Sequence, residues 1–354
     1  YKSAKHEQFI RQACLQGVLG MTSPKDNKRK LALLLQFIFL VLSVAALMVI
    51  VDFKLVFAYI KAVPVFILIL LVMVGLARVW LTGLRWRLLN PDTSNQLSLW
   101  HYFRFMMIAH AFNLIMPGAL GGDFVKTAFT LKTVKHSRID NVIAILVDRF
   151  VGLLSIIFLG TIAYFFLSHV PDRTRFNLFL IILYSLVIVF LFIVFNKRVH
   201  TFFQTCFLHL GRAGMALIKV LKTWQRSVNY FLANKHKVLL SFLLCLPIHI
   251  ISFVSAYFLA RSLNINISFF DISLVIAMVW VISSVPLTIS GAGVRELSMI
   301  YFLSSYGITP DLATALSISL YIVTLLIGFF GLFFIFDFRQ LAAIATKKSL
   351  VEKD

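Results

Sequence analysis

The stretch Val285-Pro-Leu-Thr-Ile-Ser-Gly-Ala-Gly-Val-Arg-Glu296 decides how this chain must be read. It sets a proline, two glycines and two charges inside a run otherwise apolar enough to cross a bilayer. Proline removes an amide donor and clashes with the preceding turn, so a helix stops there. Glycine opens positive φ angles and close backbone approach. The freed amides and carbonyls cannot face lipid, where each unsatisfied group costs several kcal/mol. They have to line protein or a wet cavity.

Composition gives the setting. The 354 residues are 60% hydrophobic and only 14% charged, with a mean hydropathy of +0.92. Soluble domains are nearer half apolar and a quarter charged. Several runs approach the roughly 20 residues that span hydrocarbon. The fold class is an all-α polytopic membrane protein. The formal charge of +20 comes from 34 Lys and Arg against 14 acids. These cations crowd the loops between apolar runs, where positive-inside retention and anionic headgroups account for them. With no recognition motif beside them, nucleic acid is excluded as a partner. Cys14, Cys206 and Cys245 are too scattered for a disulfide framework or a metal site. No His, Cys or acidic set has ligand spacing and no nucleotide loop occurs, so neither metal nor cofactor is expected.

The apolar runs give six full spans, at 31–51, 63–81, 142–167, 176–195, 238–259 and 312–336, plus two interrupted hairpins, and eight ordinary spans would leave the termini on the same side. Between the first two spans we read a short turn with Asp52 and Lys54. Arg78, Arg85 and Arg87 mark the point where the second span emerges among basic residues. Segment 1–30 is a cytoplasmic N-terminal piece, and Met21 reads as a native start, so 1–20 falls outside the argument. Residues 31–340 form the membrane domain and 341–354 a basic cytoplasmic tail. The largest polar segment, 196–237, holds eight Lys and Arg and no acid. Within it Leu217, Leu221, Trp224, Val228 and Phe231 fall on one helical stripe, which places this segment in the headgroup layer. Basic flanks put both termini in the cytoplasm.

The second interrupted hairpin is "MPGALGGD", residues 116–123. Each of the two runs apolar helix, proline, small residues, paired glycines, then a charge. They lie in opposite halves and enter from opposite faces, as in an inverted repeat of broken helices meeting near the midplane. A half-helix starting near Gly291 and Gly293 would point its positive end into the gap and suit a phosphate. Asp123, Lys126, Asp148, Arg149, Arg295 and Glu296 lie within or beside apolar runs, where a charge costs at least ~2.5 kcal/mol. They either pair structurally, Asp148 with Arg295 for example, or meet a charged substrate. Together with Pro117, Gly121, Gly122, Pro286, Gly291 and Gly293 they form the candidate substrate-binding set. His110, Asn113 and His249 rank below them, because a single His in apolar surroundings is usually hydrogen-bonded to a backbone carbonyl.

Three elements, "PGALGGD" with Lys126 three residues on, "DRFVG" at 148–152, and "VPLTISGAGVRE", carry a resemblance to a family. The chain resembles the membrane domain of lysylphosphatidylglycerol synthases, the multiple peptide resistance factor flippases, in its stand-alone form. The likeness runs from about residue 30 to 340. It departs at Lys126, where the family usually has Arg, and no aminoacyl-transferase domain follows residue 340. The resemblance implies movement of a lipid between leaflets, an aminoacylated phospholipid or a polyprenyl-linked or glycolipid. Its partners would be membrane lipids and a glycosyltransferase or lipid-modifying enzyme; a homo-oligomer stays open.

The leading expectation is thus a flippase without catalytic residues, in which Arg295→Ala abolishes translocation. In it the anionic headgroup enters between the hairpins while the acyl chains stay in lipid. The alternatives are an embedded lipid-linked transferase and an accessory scaffold for a lipid-modifying enzyme. The first is weakened by Asp52 standing alone in the first outside loop. The second would act through the basic 196–237 segment.

Overall fold

A computed structural model describes residues 26–89, 98–115, 138–167, 173–196, 232–285 and 291–334. It adds single or paired residues in 122–126, in 205–229 and at 288. All regular structure among the described residues is helical. The stripe in 196–237, Cys14, Cys206, Pro117, Gly121 and Pro286 lie outside them, as do both chain ends.

The first helix, α1 (Asp26–Ile50), ends at Asp52, whose side chain accepts from the Lys54 amide at 2.8 Å and starts α2 (Phe53–Ala62). The two helices meet at 86°. The turn expected at Asp52 and Lys54 is therefore a second short helix, because an aspartate cap supplies the acceptor that a new first turn needs. Pro64 lacks the amide to continue α2, and α3 (Val65–Leu89) follows.

The sequence places the end of that span among Arg78, Arg85 and Arg87. This is corrected: the helix runs on to Leu89, with Val79, Trp86 and Leu89 almost wholly inaccessible. Arg78 and Arg85 thus lie within the bundle rather than at its edge.

Next come α4 (Leu99–Ile115), α5 (Arg138–Phe165), α6 (Arg173–Phe195) and α7 (Lys235–Ser262). Ser268 caps α8 (Phe269–Ser283), its hydroxyl accepting from the Asp271 amide. After the glycine break comes α9 (Val294–Leu303), then α10 (Pro310–Phe333), capped by Thr309 with Pro310 in its first turn.

Four of these helices have the length and apolarity to cross a bilayer, and a fifth crossing results if α1 and α2 count as one bent span. The apolar stretches in α6 and α8 are shorter among the described residues.

Packing follows side-chain size. Helix α3 lies against α4 and α7, α5 against α7 and α8, and α10 against α2, α3, α4 and α9. Trp86, Tyr102, Phe105 and Phe302 fill the common core. At Gly331 a methyl group would come within 2.1 Å of the Met107 carbonyl oxygen, so α10 and α4 touch backbone to backbone. Small residues at helix crossings give this close approach in membranes.

The outer faces are the reverse of a soluble protein's. Val49 is 86% exposed, and Phe66, Ile181 and Phe333 are also uncovered, as suits surfaces that meet lipid tails. Hydroxyls inside the helices turn back on their own backbone. Ser43 bonds Phe39, Ser252 bonds Ile248, Ser273 bonds Phe269 and Ser298 bonds Val294, each to a carbonyl four residues earlier. Without water, that is the nearest acceptor.

Candidate functional site: two charged clusters and an apolar cavity

The break between α8 and α9 is built as its glycines require. Gly291 and Gly293 have φ of +74° and +82°, in the left-handed region that side chains disfavour. A Cβ on Gly293 would also lie 2.3 Å from that of Ser43 on α1. Only glycine meets both demands. Helix α9 begins at Val294, as a half-helix starting near Gly291 and Gly293 should.

Its positive end is already occupied. Glu296, 5% exposed, turns back so that Oε2 accepts from the Gly293 amide at 2.7 Å. This is the acidic half of a capping box, with the chain's own carboxylate where a bound anion was expected. Oε1 accepts from Arg295 Nη2 at 2.5 Å and from Ser317 Oγ at 3.0 Å. Arg295 also bonds Ser317 through Nε at 3.1 Å and lies 4.4 Å from the centre of the Tyr321 ring. This first cluster ties α9 to α10.

The second cluster lies elsewhere. Asp148 on α5 is 3% exposed. Its oxygens meet Arg85 Nη2 at 2.8 Å and Lys126 Nζ at 2.9 Å. Arg85 gives Nη1 to Cys245 Sγ on α7 at 2.9 Å, and Lys126 stacks 4.8 Å above Trp86. The suggested pairing of Asp148 with Arg295 does not occur. Asp148 is met by Arg85, which continues inward along α3, whereas Arg295 has its neighbour Glu296.

Arg78, two turns before Arg85 on α3, donates to Ser252 at 3.2 Å and lies 5.8 Å from the Trp280 ring. Arg85 and Lys126 thus share one carboxylate, and Arg78 lies two turns before Arg85 along α3, which makes a positive interior suited to an anion among the described residues.

Next to Asp148, Arg149 makes a partly open pair with Asp123, Nε and Nη2 both 2.6 Å from Oδ2, with side-chain exposures of 42% and 18%. Gly122 is fixed by Asn113, whose Oδ1 accepts its amide at 2.6 Å. Hence Asp123, Lys126, Asp148 and Arg149 converge, while Arg295, Glu296, Gly291 and Gly293 form a separate group.

Arg149 also lines a cavity of about 800 Å³ bounded by α5, α6, α7 and α8. Most of its wall is Leu, Ile and Val, including Leu153, Ile156, Leu183 and Val187. Its polar members are Arg149, His249, Trp280 and Ser284. His249 Nε2 donates to the Gly152 carbonyl at 3.2 Å, and the ring meets Trp280 edge to face.

The sequence reading missed this cavity and the parts played by Arg78, Arg85, Cys245 and Trp280. Arg78 and Arg85, seven residues apart on one helical face, were the available signal. No cluster of metal-ligating residues exists among the described residues.

Comparison with known proteins fits this architecture. The model of a family described as the lysylphosphatidylglycerol synthase TM region matches residues 34–343. A UPF0104 membrane protein of Methanothermobacter thermautotrophicus is 23% identical over 273 residues, covering 73% of this chain and 80% of that protein. No solved structure matches.

Proposed function

Because the chain belongs to the lysylphosphatidylglycerol synthase TM region family, we propose that it moves an anionic lipid between the two leaflets. One observation carries this reading: an apolar cavity of about 800 Å³ among the helices, with Arg149 in its wall. Pockets of roughly 300–1,000 Å³ enclose most of a small ligand's surface.

Lipid tails are as apolar as leucine, so a chain entering this cavity leaves one hydrocarbon setting for another at little cost. The headgroup is the obstacle, since a bare charge at mid-membrane is expensive. Arg149 answers a phosphate with a planar fork of donors. Asp123 holds that fork until the phosphate takes its place. The excess of cations at Arg78, Arg85 and Lys126 adds attraction for the same charge.

In this reading the tails enter the protein rather than staying outside it, and no bond is made or broken. The membrane is the prokaryotic cytoplasmic membrane, and the relation of 116–123 to 285–296 is that of inverted repeats. A glycosyltransferase or lipid-modifying enzyme would supply or consume the lipid.

The test is leaflet exchange of fluorescent phosphatidylglycerol in vesicles holding the purified protein, read by dithionite quenching. Wild type should raise exchange above protein-free vesicles, and Arg149→Ala should return it to that background with an unchanged gel-filtration profile. Equal exchange in the two proteins would refute the assignment.

A further inference from the structure

Helix α1 is long enough to cross the bilayer without α2. Its 25 residues reach about 37 Å at 1.5 Å each, against roughly 30 Å of hydrocarbon. Helix α2 leaves it at 86°, a turn that sets α2 close to the plane of the membrane. Its level is fixed as well. The amide of Asp52, just before α2, donates to Asp311 Oδ1 in the first turn of α10, and α2 packs on α10. A helix start such as Thr309-Pro310-Asp311 belongs at the polar boundary, because its unbonded amides cannot face hydrocarbon.

Around its axis α2 is sorted by side-chain chemistry. Val56 is 2% exposed and faces the bundle. Lys54 and Lys61 are exposed and lie on nearly one side, about 150° round from Val56 at 3.6 residues per turn. Phe53 and Phe57 occupy one flank and Leu55 the other, all three exposed. The Lys61 ammonium lies 5.3 Å from the centre of the Phe57 ring. Neither lysine pairs with a carboxylate among the described residues. The two acids at this end are engaged in the joint itself, Asp52 accepting from the Lys54 amide and Asp311 from the Asp52 amide.

Apolar flanks with an outward basic edge suit a helix lying between headgroups and acyl chains. Anionic phosphates at that level attract lysines. A soluble acidic partner would also meet the lysines, but it would leave Phe53, Leu55 and Phe57 in water, where apolar surface is unfavourable. We infer that α1 crosses the membrane alone and that α2 is an interfacial helix, binding anionic lipid headgroups of one leaflet through Lys54 and Lys61. This surface is separate from the proposed transport cavity, which α5, α6, α7 and α8 enclose. Lipid held here stays in its own leaflet, so the inference does not rest on transport.

The test uses full-length protein with Cys14 and Cys206 replaced by Ser, the buried Cys245 being kept. It is reconstituted in mixed phosphatidylcholine and phosphatidylglycerol vesicles. Nitroxide labels at Lys54→Cys and Lys61→Cys, one at a time, report depth through relaxation by oxygen and by a water-soluble nickel complex. A helix in the plane, even tilted by about 20°, puts the two labels within about 4 Å in depth, whereas one that continues the crossing separates them by about 10 Å.

A bimane probe at Ala58→Cys, one turn from each lysine, then reports local lipid through quenching by acyl-nitroxide phosphatidylglycerol or phosphatidylcholine. At about fivefold per lysine, phosphatidylglycerol should be enriched at least about fivefold around the probe. Lys54→Gln with Lys61→Gln should bring the ratio to about one, and Lys54→Arg with Lys61→Arg should keep it.

Depths about 10 Å apart would make α2 part of a span and overturn the inference. So would labels that nickel reaches as freely as in water, the result that a surface for a soluble partner predicts. Equal quenching by the two lipids would overturn it too.

Discussion

Replacing Asp148 by Asn keeps the shape of the side chain and removes the charge that Arg85 and Lys126 share. With both cations within 3 Å of the carboxylate, their charge centres lie on the order of 6 Å apart. At an effective dielectric constant of about 20 they repel each other by ~3 kcal/mol, and each attracts Asp148 by ~4 kcal/mol at about 4 Å. The intact triad is favourable, whereas the pair without its anion is not. Desolvation shrinks these gross figures, and breaking buried pairs elsewhere costs about 3–5 kcal/mol. At about 2 °C per kcal/mol for a chain of this size, Asp148→Asn should lower the thermal midpoint in detergent by roughly 6–10 °C. Tryptophan fluorescence can follow the transition, since Trp86 lies beside the triad. Adding Lys126→Gln should recover part of the loss, a coupling of about 1–3 kcal/mol. A midpoint within 1 °C of wild type, or strictly additive effects, would refute the idea that one carboxylate balances two buried cations.

Gly293→Ala should destabilise by more than about 3 kcal/mol, combining left-handed strain with the clash against Ser43; adding Ser43→Gly should relieve only the clash, as gel-filtration yield and thermal midpoint will show. Leu183→Trp, placed in the wall of the cavity, should slow lipid exchange severalfold in vesicles while moving the midpoint by less than about 2 °C; unaltered exchange would mean that lipid does not use this space.

Much of the architecture was legible because hydrocarbon is an unforgiving solvent. Spans at 142–167, 176–195 and 238–259 correspond to α5, α6 and α7, since long apolar runs have few alternatives. The break at Gly291 and Gly293 was readable for a related reason: two glycines so close to a proline are poor material for a continuous helix. What composition could not reveal was partnership. Arg85 resembles any basic residue near the end of a span, and only the packing of α3 against α5 and α7 makes it the counter-ion of Asp148. Glu296 was legible as a costly charge, but its use as a cap for its own helix depends on the turn at Gly293. The cavity was beyond reach from sequence, because Leu153 and Leu183 read the same whether they face lipid, protein or empty space.

One tether constrains how such a molecule could move. The amide of Asp52, at the elbow between α1 and α2, donates to Asp311 Oδ1 at 2.7 Å, joining positions 259 residues apart in sequence. Helix α2 rests on α10 at the same end. There the early and late parts of the chain are clasped like the spring of a clothes-peg. Under the proposed transport, a widening at the opposite tips is the one that leaves this clasp intact.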